Sequence, residues 1–203
     1  MMTKLLIHFF LAIPLLYGDS QEKIILFFGD SLTAGYGLSI EQAFPSIVES
    51  QLISEGTQCK VINAGLSGET SAGGLSRIDW ILRQPVDVLV LELGANDGLR
   101  GLPIDQTKEN LQQIINKVKA KNQDVKIIIA GMMVPPNMGQ KYSASFGQIF
   151  PDLADKNNAV LIPFLLEGVA GDKNLNLADG IHPNVKGHKI VANNVLEALR
   201  KIL

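Results

Sequence analysis

Hydrophobic residues fall into two kinds of run along this chain. Some are short and almost wholly apolar: Ile24 to Phe28, Val86 to Leu93 apart from Asp87 and Glu92, Val125 to Ala130 apart from Lys126, Ala159 to Ile162 and the brief Lys60-Val61-Ile62. Runs of that length without alternation read as strands buried on both faces, the habit of parallel sheets covered by helices. Between them apolar residues recur at helical spacing. Phe44, Ile47, Val48 and Leu52 predict a helix that stops at Gly56, and a second runs from Ser71 to Arg83, ended by Gln84-Pro85. Leu111, Ile114, Ile115 and Val118 stripe a third from Thr107 to Lys121. A fourth spans Ser143 to Lys156 with a disturbance at Pro151, and a fifth runs from Val185 to Ile202. Strand and helix in alternation predict a three-layer α/β/α sandwich around a mainly parallel five-stranded sheet with right-handed crossovers.

The strands end in small and polar residues. Ile24 to Phe28 runs into Gly29-Asp30-Ser31, the second strand into Asn63-Ala64-Gly65-Leu66-Ser67-Gly68, the third into Gly94-Ala95-Asn96-Asp97. The fourth opens the longest irregular segment, Gly131-Met132-Met133-Val134-Pro135. In such sheets ligands collect at the carboxyl ends of strands. Ser31, set between glycines that allow a sharp turn and close approach, occupies a nucleophile's position. The Met132 and Asn174 regions are the expected substrate-shaping surface.

Composition narrows the picture. With 203 residues, 46% hydrophobic and 19% charged, the chain can bury one sizeable core, and its net charge of -2 without a basic run argues against nucleic acid as a partner. A small neutral or apolar substrate is expected, and a monomer. Lys4, the apolar stretch Leu5 to Tyr17 and the small residues Gly18 and Ser20 read as a signal peptide over residues 1–20, leaving a domain over 21–203 in the periplasm or secreted. The apolar stretch falls short of the roughly 20 residues that span a bilayer, so no stable membrane insertion is expected once it is removed; an uncleaved anchor is the alternative. Cys59 stands alone and reads as a small buried side chain.

With His8 inside the leader, His182 and His188 are the histidines left to act as a base. Asp179 precedes His182 by three residues in a turn opened by Gly180 and closed by Pro183, a spacing that can set a carboxylate on the imidazole Nδ1 and leave Nε2 for a hydroxyl. His188, inside the last helical pattern, reads as a packing residue. A serine attacking an acyl carbon needs donors for the oxyanion, and the strand ends offer the Ser31 N–H, the Gly68 N–H and the Asn96 amide. Asp30 reads as a hydrogen-bonding group of the turn. Each motif alone also fits an ordinary turn.

Together, Gly29-Asp30-Ser31-Leu32, Asn63 to Gly68, Gly94-Ala95-Asn96-Asp97 and Asp179-Gly180-Ile181-His182-Pro183 resemble, in order, the blocks of the GDSL or SGNH hydrolase family. The resemblance extends over essentially the whole mature chain and is to the bacterial arylesterase, thioesterase and lysophospholipase group. It implies a flavodoxin-like SGNH fold, Ser31 as nucleophile with Asp179 and His182, and an oxyanion hole of Ser31, Gly68 and Asn96. It also implies a small acyl-ester, thioester or lysophospholipid substrate.

The α/β-hydrolase elbow is absent, since Thr33 stands where it needs glycine, and no P-loop, dinucleotide or zinc motif occurs. No cofactor is indicated. Met133, Val134 and Pro135 are the candidate substrate contacts, methionine being adaptable against an acyl chain, although the same residues also suit core packing. The rivals are a polysaccharide O-acetyl esterase of the same fold, against which the 6% aromatic content argues mildly, and a non-catalytic lipid-binding domain.

Overall fold

The computed structural model describes residues 22–203. The segment read as a signal peptide, and its boundary, lie outside the described residues. Five parallel strands form one sheet: β1 (Lys23–Gly29), β2 (Cys59–Gly65), β3 (Val88–Glu92), β4 (Lys126–Ala130) and β5 (Val160–Ile162), in the order β2-β1-β3-β4-β5. The connecting helices are α1 (Ser31–Ala34), α2 (Phe44–Ser54), α3 (Ser71–Ile81), α4 (Ala95–Leu99), α5 (Ile104–Lys121), α6 (Gln140–Asn157) and α7 (Val185–Leu199).

From β1 the chain steps one way to β2 and then returns past β1 to β3. Right-handed crossovers therefore put α2 and α3 on opposite faces. α2 packs on α7, while α3 packs on α5 and α5 on α6, giving the three layers. β3 is buried along its length, and Phe27, Phe28, Phe44, Phe146 and Phe150 are fully buried around the sheet, with Phe27 and Phe44 edge to face at 5.6 Å. Reversal of direction between β1 and β3 leaves a crevice beyond their carboxyl ends, where doubly wound sheets bind ligands.

The structure departs from the sequence reading at several ends. β2 is longer than Lys60–Ile62, because Asn63, Ala64 and Gly65 stay in register with Phe27, Phe28 and Gly29. Composition made these residues resemble a turn, but pairing with the central strand holds them extended. β3 begins at Val88, since Asp87 turns its carboxylate to the Ile24 N–H at 2.8 Å. α6 continues through Pro151, where Phe146, Ile149, Phe150 and Leu153 bury one face on either side of the proline. The one-turn helices α1 and α4 lie in segments that carry no apolar period.

Candidate active site

β1 ends at Gly29, and the chain turns at once into α1. Asp30 caps that turn, its Oδ1 accepting from the Leu32 N–H at 3.0 Å, and Gly35, at φ 75°, closes it in the left-handed conformation that glycine adopts without strain. Glu92, the last residue of β3, lies beneath. One oxygen, Oε2, accepts from the Asp30 N–H at 3.1 Å, the Thr33 N–H at 3.3 Å and the Thr33 hydroxyl at 2.7 Å. Gly29 must lack a side chain here, because a Cβ would run into the Thr33 hydroxyl and Glu92. From the other side the Asn63 amide of β2 donates to the Thr33 carbonyl at 2.9 Å. Strands on both flanks thus fix the turn that carries Ser31.

Burial dominates the electrostatics under this turn. It pushes the Asp30 carboxyl up to about 6 against the opposing pull of the Leu32 N–H and the Asn96 amide. Burial, reinforced by the Asp30 charge, holds the Glu92 carboxyl well above the ordinary carboxylate range.

Asp179 and His182 reach Ser31 from the loop between β5 and α7. An antiparallel bridge between Asn176 and Pro183 closes that loop, the Leu177 N–H donates to the His182 carbonyl at 2.7 Å, and Gly180 turns at φ 71°. Asn184 caps α7 with its side-chain oxygen on the Lys186 and Gly187 N–H groups. Asp179 Oδ1 accepts from the Ile181 and His182 N–H groups at 2.9 and 3.0 Å, while Oδ2 lies 2.8 Å from His182 Nδ1. His182 Nε2 lies 3.0 Å from Ser31 Oγ. Backbone donation from His182 and then Ile181, followed by the imidazole, pulls the Asp179 carboxyl down to about 2, so it is ionised at neutral pH. An ionised carboxylate only accepts; the proton therefore sits on Nδ1, and Nε2 is left to accept from the serine hydroxyl. The Tyr36 ring lies over the imidazole with centroids 4.5 Å apart.

Asn96 follows Gly94 in the first turn of α4, and its Nδ2 donates to Asp30 Oδ2 at 3.0 Å. Gly68, at φ 79°, sits in the turn after β2, where Arg100 donates to its carbonyl at 2.9 Å. Among the described residues the N–H groups of Ser31 and Gly68 have no acceptor. The loops are braced from behind: Arg77 forks onto Glu69, donates to the Ala64 carbonyl at 2.8 Å and stacks 4.3 Å over Phe28. Asp97 accepts from the Ser71 N–H at 2.8 Å and the Thr107 hydroxyl at 3.2 Å.

The other sequence candidates separate. His188 is buried, with Nδ1 accepting from the Phe44 N–H at 3.0 Å and burial pulling its pKa down to about 4; it joins α7 to α2. Cys59 is buried at the start of β2. Of the candidate substrate contacts, Met133 and Pro135 are exposed, whereas Val134 is buried, closing with Phe146 over Gly98. Glu92, Arg77 and Tyr36 escaped the sequence reading; only Glu92, a charge ending an otherwise apolar buried strand, carried a signal. A surface concavity of about 270 Å³ between β5 and α7, lined by Phe164, Glu167, Glu197 and Lys201 among others, contains none of these side chains. Among the described residues no group of three or more His, Cys, Asp or Glu is placed to hold a metal ion.

Comparison with known proteins gives consistent relatives. The model of the GDSL-like lipase/acylhydrolase family matches residues 27–190. An esterase, TesA, of Pseudomonas aeruginosa is 36% identical over 203 residues, covering 100% of both chains. A thioesterase 1/protease 1/lysophospholipase L1 of Escherichia coli strain K12 is 36% identical over 96% of this chain and 92% of its own. The crystal structure of TesA superposes with a TM-score of 0.85 over 89% of this chain and 100% of that one.

Proposed function

The chain belongs to the GDSL-like lipase/acylhydrolase family, and from that premise we propose that it is a cofactor-independent, exported serine acyl-ester hydrolase. The observation that carries the reading is the continuous chain from Ser31 Oγ through His182 to Asp179, with contacts of 3.0 and 2.8 Å. Ser31 Oγ attacks the acyl carbon as His182 Nε2 takes its proton. Asp179 holds the imidazole and stabilises its charged form. The oxyanion forms against the Ser31 and Gly68 N–H groups and the Asn96 amide. His182 returns the proton to the leaving alkoxide or thiolate, and a water activated by the same imidazole releases the acyl group from Ser31.

Relatives named esterase and thioesterase/lysophospholipase point to acyl esters, thioesters and lysophospholipids as the substrate class. We assign the exposed Met133 and Pro135 to contact with the acyl chain, and Val134 to the wall beneath them. Export rests on the apolar stretch Leu5 to Tyr17 and is checked by N-terminal sequencing of the protein recovered from periplasm or medium. The substrate class is tested by comparing acetyl and octanoyl aryl esters. Efficient octanoyl hydrolysis that disappears in Ser31→Ala is expected. Hydrolysis confined to the acetyl ester would move the assignment to a deacetylase, and turnover of neither by folded protein would leave a binding domain.

A further inference from the structure

The reaction above requires a particular end of the Asn96 amide to face the nucleophile. The two ends of an asparagine amide are nearly identical in shape and opposite in hydrogen-bonding sense, so a neighbour must select between them. Asp30, 1% exposed, is that neighbour: Oδ1 is engaged by the Leu32 N–H and Oδ2 by Asn96 Nδ2, each at 3.0 Å. Its own N–H donates to Glu92, which anchors the residue from below.

We propose that Asp30 is a positioning residue whose carboxylate selects the NH2 end of the Asn96 amide, holding one N–H so that the other is presented to the oxyanion. The inference rests on the serine hydrolase reading and adds a role for the residue beside the nucleophile. An ionised carboxylate has no proton to donate, so the inverted amide would set oxygen against oxygen. The same carboxylate caps α1, which ties the oxyanion donor on α4 to the turn carrying Ser31, and the two keep one mutual geometry.

Asp30→Asn is the informative substitution. Asparagine caps helices as well as aspartate does, so its oxygen stays on the Leu32 N–H and the turn is retained. Its NH2 then faces Asn96 Nδ2, donor against donor, and the Asn96 amide inverts. The loss expected is that of one oxyanion donor, roughly 10²- to 10³-fold in kcat, with KM for an aryl ester changed far less. A helix-capping role alone would not follow Asn96, so the test is a double-mutant cycle at pH 8, with thermal melting to confirm folding. In the Asn96→Ala background Asp30→Asn should change kcat by less than about threefold, because its effect passes through the missing amide. Losses that multiply in the two backgrounds, or an Asp30→Asn enzyme within about threefold of wild type, would overturn the proposal alone. A folded wild type that hydrolyses no ester would overturn the hydrolase reading and this one with it.

Discussion

Replacing Glu92 by leucine and by glutamine separates the two things this residue does: accepting hydrogen bonds and carrying a proton. Leucine removes the acceptor of the Asp30 N–H, the Thr33 N–H and the Thr33 hydroxyl, in a place where Asp30 and Thr33 are at most 1% exposed. At roughly 1–3 kcal/mol for each buried donor left unpaired, with the 3.3 Å bond counting least, the cost is about 3–6 kcal/mol. For a domain of this size that lowers Tm by about 10–20 °C.

Glutamine behaves differently. All three bonds end on Oε2, which its carbonyl oxygen can replace, while Oε1 has no partner and is protonated in the neutral acid, so an NH2 there is no worse placed. Because the folded-state pKa of Glu92 is raised, the folded protein holds a proton that the unfolded chain releases above about 4.5. Stability must therefore fall as pH climbs from that value toward the raised pKa, and the Asp30 carboxyl at about 6 adds to the same slope. Glu92→Gln should melt within a few degrees of wild type at pH 5 and lose less stability than wild type by pH 8.5, as read by circular dichroism. Parallel pH slopes, or a glutamine variant as unstable as the leucine one, would refute a neutral buried carboxyl under Ser31.

Other expectations follow from the same geometry. His188 titrates near 6.5 unfolded and about 4 folded, so wild type should lose up to ~3 kcal/mol as pH falls between those values, and His188→Asn, which keeps an acceptor for the Phe44 N–H, should show a shallower acid limb in urea melts. Arg77→Ala strands the buried Glu69 carboxylate and uncovers Phe28; a loss of about 3–5 kcal/mol is expected by denaturation, and Arg77→Ala at wild-type stability would remove this brace from the account. Asp179 remains ionised down to about pH 2, so it does not set the acid limb of activity, and Asp179→Asn should reduce kcat about 10⁴-fold through the wrong imidazole tautomer without a matching change in Tm.

The layered α/β fold was legible because most of its strands are short runs dominated by apolar residues and its longer helices keep a clear stripe. Ser31 and Asn96 stood out as candidates because each sits in a short motif just past a strand end, where this architecture concentrates chemistry, and Asp179 and His182 because their three-residue spacing in a turn lets a carboxylate meet an imidazole. What escaped is held by tertiary pairing. Asn63 and Gly65 have the composition of a turn, and only the register with β1 makes them strand. In Met132-Met133-Val134 every side chain is apolar, so sequence could not say that the alternation turns Met133 outward and its neighbours inward. Besides the local Leu32 N–H, the partners of Asp30 come from β3 and α4, more than sixty residues away, and no local spacing announces them.

Covalent labelling reads the reactivity of Ser31 directly. The purified protein and its Ser31→Ala variant are treated with a fluorophosphonate, and the adduct is located by intact mass and peptide mapping. One adduct per chain is expected, on Ser31, and none on the variant. Absence of adduct on the folded wild type, or equal labelling of the variant, would contradict an activated serine at the end of β1.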